Sequence, residues 1–276
     1  MKFIPAILLI LVLMLTSCTK NSENPDLNSE KIKSTVVSQY AVSLMNGLVT
    51  KGICTTRITC SFDEKGNMTA KTDHDLGHNL EYKFHFVFDE NGKKTEQNFS
   101  YADNRIMYRI IYGYDAHGFM VSEKYQSLVG GFNYRYEYQN DEKGNQLVND
   151  YYNSEEKLSS RTTCSYDSKN QMIEMKYHSP STFLSWRKVF TYNDSGTQKT
   201  EISYNTDGSL SQRITYLFDD QRNLCEQIGY GFNDVPYERL KFDYSGFDKY
   251  GNWSVQKDYR NDECILISER EIEYYE

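Results

Sequence analysis

Lys83-Phe84-His85-Phe86-Val87-Phe88-Asp89-Glu90-Asn91-Gly92 is the stretch that decides the fold. Its first six residues alternate, which places Phe84, Phe86 and Phe88 on one face of a strand; a helix would scatter them around its axis. The last four residues read as a turn, in which Asp accepts hydrogen bonds from backbone amides two residues on and Gly takes the φ > 0 of a tight reversal. The same pattern recurs to either side. It appears in Phe62-Asp63-Glu64-Lys65-Gly66, in Tyr114-Asp115-Ala116-His117-Gly118 and, with Asn140 in the aromatic slot, in Asp141-Glu142-Lys143-Gly144. Gly66, Gly92, Gly118, Gly144 and Gly196 stand at multiples of 26 residues from one another. Asn170 and Arg222 fill the two intermediate slots, and Phe247-Asp248-Lys249-Tyr250-Gly251 arrives three residues late. Asn tolerates a left-handed backbone, whereas Arg suits it badly.

The connections between turns alternate in length. Short ones fall near Asp103-Asn104, Ser154-Glu155, Asp207-Gly208 and Asp262-Glu263, and longer ones near 73–80, 126–132, 178–185 and 230–236. The full period is therefore 52 residues, with four copies over 59–110, 111–162, 163–214 and 215–266. Four strands per copy and a closing strand over 267–275 give an all-β fold. The expectation is an antiparallel meander of about 17 short strands from four 52-residue superrepeats, or eight 26-residue units, in a twisted or partly closed single sheet over residues 36–276.

Composition agrees with a folded, water-facing chain. Of 276 residues 14% are aromatic and 25% charged, with only 4 Pro, which is unlike a disordered polypeptide. A formal charge of -8 with no basic cluster opposes binding to phosphate backbones, so no nucleic-acid partner is expected. The amino terminus differs from the rest: Lys2 precedes an apolar run from Phe3 to Leu15, too short to span a bilayer comfortably. Leu15-Thr16-Ser17-Cys18 resembles the lipobox of bacterial lipoproteins, which implies cleavage before Cys18 and acylation of that residue. Residues 1–17 are then a lipoprotein signal peptide and 18–35 a lipidated polar tether, with the membrane as a partner through the lipid. The resemblance implies the bacterial cell envelope, at the outer membrane.

The repeat carries a resemblance too. Its Phe/Tyr-Asp-x-x-Gly-Asn turns, followed about twelve residues later by segments such as Tyr204-Asn205-Thr206-Asp207-Gly208-Ser209-Leu210, resemble the YD repeats of the RHS family over roughly residues 57–276. That family implies consecutive antiparallel strands wound as a large sheet or shell. The chain is also similar to small YD-repeat lipoproteins of the bacterial envelope, which implies carbohydrate binding as one of its roles.

Catalytic chemistry is sparse. Most acids near aromatic residues occupy turn positions, and neither G-x-S-x-G nor a phosphate-binding loop occurs, so the chain reads as noncatalytic, with no cofactor. His74 and His78 have a metal-like spacing but lack a third ligand beside them, and no metal is expected. Beyond Cys18 the cysteines are Cys54, Cys60, Cys164, Cys225 and Cys264, an odd number without a CxxC, read as core-facing thiols. In an open sheet the eight strands between Cys60 and Cys164 would separate them by about 38 Å.

Binding remains. The long connections carry Phe132, Phe183, Trp186 and Phe232, aromatics that a plain connector does not need. They are the candidate ligand-binding residues, for a glycan or an envelope protein. Adjacent long connections would lie about 19 Å apart, at four strand spacings. The alternative is a structural or assembly factor that works through sheet edges, since an open meander leaves two strands unpaired.

Overall fold

The computed structural model describes residues 31–75, 77, 79–179 and 184–276. The signal peptide, Cys18, most of the tether, His78 and Phe183 lie outside the described residues. Eighteen strands form one antiparallel sheet, and no helix occurs among the described residues. In chain order they are β1 (Ile32–Met45), β2 (Leu48–Phe62), β3 (Met68–His74), β4 (Leu80–Phe88), β5 (Lys94–Tyr101), β6 (Ile106–Tyr114), β7 (Met120–Ser127), β8 (Tyr134–Asn140) and β9 (Gln146–Tyr152). The second half continues with β10 (Leu158–Tyr166), β11 (Met172–His178), β12 (Leu184–Tyr192), β13 (Gln198–Tyr204), β14 (Leu210–Phe218), β15 (Leu224–Tyr230), β16 (Pro236–Ser245), β17 (Val255–Arg260) and β18 (Glu263–Tyr274).

The chain divides into two compact units. One runs to Glu81 and takes in Tyr244–Lys257 and Leu266–Glu276; the other holds Tyr82–Asp243 and Asp258–Ile265. In the second unit, β4 to β16 pair strictly in sequence order. The hairpins at the Asp turns close in the same way. At the Asp turns the Asp89 amide donates to the Lys93 carbonyl, the Gly92 amide donates to the Asp89 carbonyl, and the Asp89 carboxylate accepts from the amides of Asn91 and Lys93. Asp115, Asp141, Asp167 and Asp219 repeat this pattern. Gly92, Gly118, Gly144 and Gly196 have φ of 78°, 88°, 85° and 68°; in the first unit Gly66 has 86°.

Arg222, the residue that suited its slot badly, also has a left-handed backbone, at φ 67°. Its guanidinium donates to the Gly196 carbonyl one repeat earlier, at 2.9 Å, and that bond offsets the backbone cost. Neighbouring turns touch elsewhere in the same way. The Phe119 ring lies over Gly144, where a Cβ would meet it at 2.6 Å, and the Asn145 amide donates to the Asn170 side-chain oxygen.

In four of these hairpins the residue just before the turn Asp or Asn also binds sideways. The hydroxyls of Tyr114, Tyr166 and Tyr192 donate to the carbonyls of Lys94, Gln146 and Met172, in each case twenty residues earlier. Asn140 fills the slot with its amide, which donates to the Met120 carbonyl at 2.9 Å. The aromatic of the repeat is therefore a polar clamp between hairpins as well as an apolar surface.

The first unit corrects one expectation. β1 pairs with β2 on one side and with β18 on the other, from Ile32↔Tyr274 to Ala41↔Leu266. The two terminal strands, which an open meander would leave bare, are bonded to each other over these residues, so the terminal edges on which an assembly factor was expected to act are paired there. The added strand is β1, which starts at Ile32 because Thr35 and Val37 alternate into a buried row beside Ile58 and Cys60. Not all strands are as short as expected; β2 reaches fifteen residues.

Candidate functional site

Register sorts the second unit into two faces. Tyr82, Phe84, Phe99, Tyr108, Tyr125, Tyr134 and Tyr151 share one of them. Their rings stack from strand to strand across β4 to β9, with centroids 5.3 Å apart for Tyr82 and Phe99, 4.8 Å for Phe99 and Tyr108, 4.8 Å for Tyr108 and Tyr125, and 4.4 Å for Tyr125 and Tyr134. A ring stacked on both sides has only its edge left for a ligand. Burial raises the Tyr108 phenol above its ordinary value and pushes Tyr134 up to about 12, so both stay protonated donors.

Charges interrupt this aromatic face. Lys94 lies between Phe86 and Tyr112, 4.2 Å from the Tyr112 centroid, and Lys199 lies between Phe190 and Tyr216. Burial holds both ammonium groups below their ordinary values. Lys188 pairs with Glu201 at 2.5 Å.

The opposite face is polar, and it holds a feature that the sequence reading missed. Arg109, Arg135, Arg161, Arg187, Arg213 and Arg239 recur every 26 residues, one on each even strand from β6 to β16. Two strand spacings separate neighbours, about 10 Å. Each has an acceptor: Arg109 donates to Gln126, Arg161 grips Asp150 through two bonds of 2.6 and 2.7 Å, and Arg187 pairs with Glu174. Arg135 pairs with Glu137 and Glu156, Arg213 with Asp234 and Arg239 with Glu226. Three of the guanidiniums also stack on the tyrosine seventeen residues later, on Tyr152, Tyr204 and Tyr230. The signal was in the sequence at the same period as the glycines.

The long connections lie at the sheet end opposite the Asp turns. In the β7–β8 connection the Ser127 hydroxyl donates to the Gly130 carbonyl and the Ser127 amide to the Asn133 side chain, which pins the base and turns Phe132 out. In the β15–β16 connection the Gly231 amide donates to the Val235 carbonyl, and Arg213 holds Asp234 at 3.0 Å. Phe132 and Phe232 are 80% and 82% exposed, the highest values among the large apolar side chains described. Trp186 behaves differently. It lies within β12, half-buried, with one face flat against Tyr177 at 5.4 Å and 3°. The structure therefore does not gather the candidates: Phe132 and Phe232 are eight strands apart, about 38 Å along the sheet.

No protein-family model matches the chain, and no curated protein does. Among solved structures it is similar to a porin-like protein from Bacteroides uniformis ATCC 8492, at 10% identity and a TM-score of 0.45, over 88% of this chain and 96% of that one. It is also similar to the TcdB2-TccC3 complex, at 13% identity and a TM-score of 0.28, over 84% of this chain and 16% of that one. A third is the Photorhabdus luminescens Tc holotoxin pore, at 7% identity and a TM-score of 0.20, over 82% and 17%. These likenesses are partial, and the reading of the site rests on its residues.

Other chemistry is accounted for locally. Among the described residues no three His, Cys, Asp or Glu side chains converge on a metal position, and His74 Nδ1 lies 3.3 Å from the Arg57 carbonyl. Cys54, Cys164 and Cys225 are free thiols and burial raises Cys164, whereas Cys60, expected as a core-facing thiol, is disulfide-bonded.

Proposed function

We propose that the protein is a noncatalytic β-repeat module of the bacterial cell envelope, held to the outer membrane by lipid on Cys18, that binds a glycan through its long connections. The observation that carries this reading is the exposure of Phe132 and Phe232 on connections whose bases are hydrogen-bonded, because an uncovered ring on a fixed backbone is a ready stacking surface for the apolar face of a sugar. Trp186, with Tyr177 stacked on it and the Lys188 ammonium 5.8 Å from its ring centroid, contributes little. A protein partner is the second reading, favoured by Leu128, Val129 and Val235, which stand exposed beside the two phenylalanines.

A membrane-crossing barrel is the rival, and both faces of the second unit oppose it. Lipid demands an outward surface without charge over about 9 to 11 residues per strand. One face carries the arginine ladder and the other Lys188, Lys199 and Glu201, on strands mostly of seven to nine residues. The test is retention of the chain on immobilised cell-envelope polysaccharide. Phe132→Ala with Phe232→Ala should abolish retention while the far-UV spectrum stays unchanged; retention equal to the parent would overturn the reading. Palmitate labelling of the Cys18→Ala chain tests the anchor separately, with loss of label expected.

A further inference from the structure

The β1–β2 hairpin has the longest strands described, fourteen and fifteen residues, joined by a two-residue reversal at Asn46 and Gly47, with φ of 54° and 77°. β3 covers β2 only from Arg57 to Phe62, so Leu48 to Thr56 have no described strand partner on the side away from β1. Along this ribbon Leu44, Met45, Leu48 and Ile53 are between 66 and 74% exposed. From Ile32 to Phe62 there is no Asp or Glu, and Lys51 is already paired with Glu269 at 2.7 Å. The ribbon is an apolar, nearly uncharged edge on an acidic protein.

A bare edge asks for a strand, and apolar side chains on both sides of it ask for apolar cover. A lipid surface supplies the second but not the first, since unpaired amides in hydrocarbon are costly. The same ribbon on another copy supplies both. We infer that two copies associate through β2, edge to edge and antiparallel about a two-fold axis, to make a four-stranded sheet from two ribbons. A lone two-stranded ribbon is marginal in water and gains from such a neighbour. Two ribbons can approach without like-charge repulsion. Four strongly exposed apolar side chains, Val49 and nine residues of strand edge expose on the order of 600 Å² per partner, the lower bound for a specific interface.

Hairpin geometry supplies a variant that spares the fold. Residues flanking a two-residue turn exchange both backbone bonds, so Met45 and Leu48 do, while the next pair, Leu44 and Val49, does not. The Val49 amide then points away from β1, and Val49→Pro removes a donor from the free edge alone. Sedimentation velocity of the full chain in dodecyl maltoside, from 1 to about 100 μM, should show a concentration-dependent dimer. Val49→Pro and, independently, Leu48→Lys with Ile53→Lys should each shift dissociation to at least about tenfold higher concentration at an unchanged melting temperature. A parent chain that stays monomeric throughout, even if it floats with lipid vesicles or captures a strand of another protein, overturns the proposal. So does a dimer that survives both variants.

Discussion

Within the second unit the two ends of the sheet are made from one hairpin geometry and finished with opposite chemistry. At both ends the residue that opens the turn donates its amide four residues on: Asp141 to Asn145 at one end, Asn153 to Lys157 and Asn205 to Ser209 at the other. The Asp-turn end then adds lateral ties, with Phe119 over Gly144, Arg222 on Gly196 and the tyrosine hydroxyls on carbonyls twenty residues back. At the opposite end arginines of the ladder hold Glu156 and Asp234 and the bases of the long connections are pinned, but Phe132 and Phe232 stay uncovered. The difference separates two uses of one repeat. Ties between neighbouring turns hold the strands in register; connections whose rings stand uncovered are free to bind.

The largest expected effect breaks that comparison at matched glycines. Gly144→Val meets both the positive φ and the Phe119 ring and should cost about 2 kcal/mol in urea unfolding. Gly130→Val in the β7–β8 connection has nearly the same φ, 88° against 85°, with nothing near its Cβ, and should cost about 1 kcal/mol. Equal losses would mean that the lateral contact contributes nothing.

The next effect comes from the clamps. Tyr166→Phe keeps the ring and deletes the bond to the Gln146 carbonyl, for an expected loss of about 1 kcal/mol. Asn140→Leu should lose a similar amount at Met120, although Asn140 is the slot that departs from the aromatic pattern.

How much of this the sequence made legible follows from range. Turns are local, so an Asp and a Gly three residues apart suffice to announce one, and the period of 26 announces its neighbours. Arg222 looked like an error because its compensation lies a full repeat away, on Gly196. The pairing of β1 with β18 joins residues more than two hundred positions apart, and no pattern in either strand encodes its partner. The arginines were as periodic as the glycines. They were passed over because charged residues on a strand read as solvated, whereas the structure shows each one tied to an acceptor. Exposure was equally illegible: nothing in the sequence separates Phe132, which stands free, from Trp186, which is stacked.

A smaller effect tests the turn carboxyls by pH. The Asn145 side-chain amide holds the Asp141 carboxyl below its ordinary value, and the Phe119 amide does the same for Asp115. A carboxyl lowered on folding stabilises fully above its unfolded value, near pH 4, and loses that contribution as pH falls through the folded value. The melting temperature should therefore drop between about pH 4 and pH 2, and less steeply in Asp141→Ala, whose melting at pH 7 starts lower. An identical acid slope in the variant would show that the turn carboxyls are not the groups that titrate.

The smallest effect on stability is the one that carries the function. Phe132 and Phe232 rest on no described core, so truncation to Ala should change unfolding by no more than about 0.5 kcal/mol each. Trp186→Ala removes a ring stacked on Tyr177 inside β12 and should cost several times as much, near 2 kcal/mol. Retention on envelope polysaccharide should move the other way, lost with the two phenylalanines and reduced in Trp186→Ala only in proportion to unfolded protein. If Trp186→Ala abolishes retention while the chain is still folded, the ligand lies along the aromatic face between the ends, and the division of labour between tied turns and uncovered rings fails. Should truncation of Phe132 destabilise as much as that of Trp186, its connection is part of the core, and the glycan reading loses its platform.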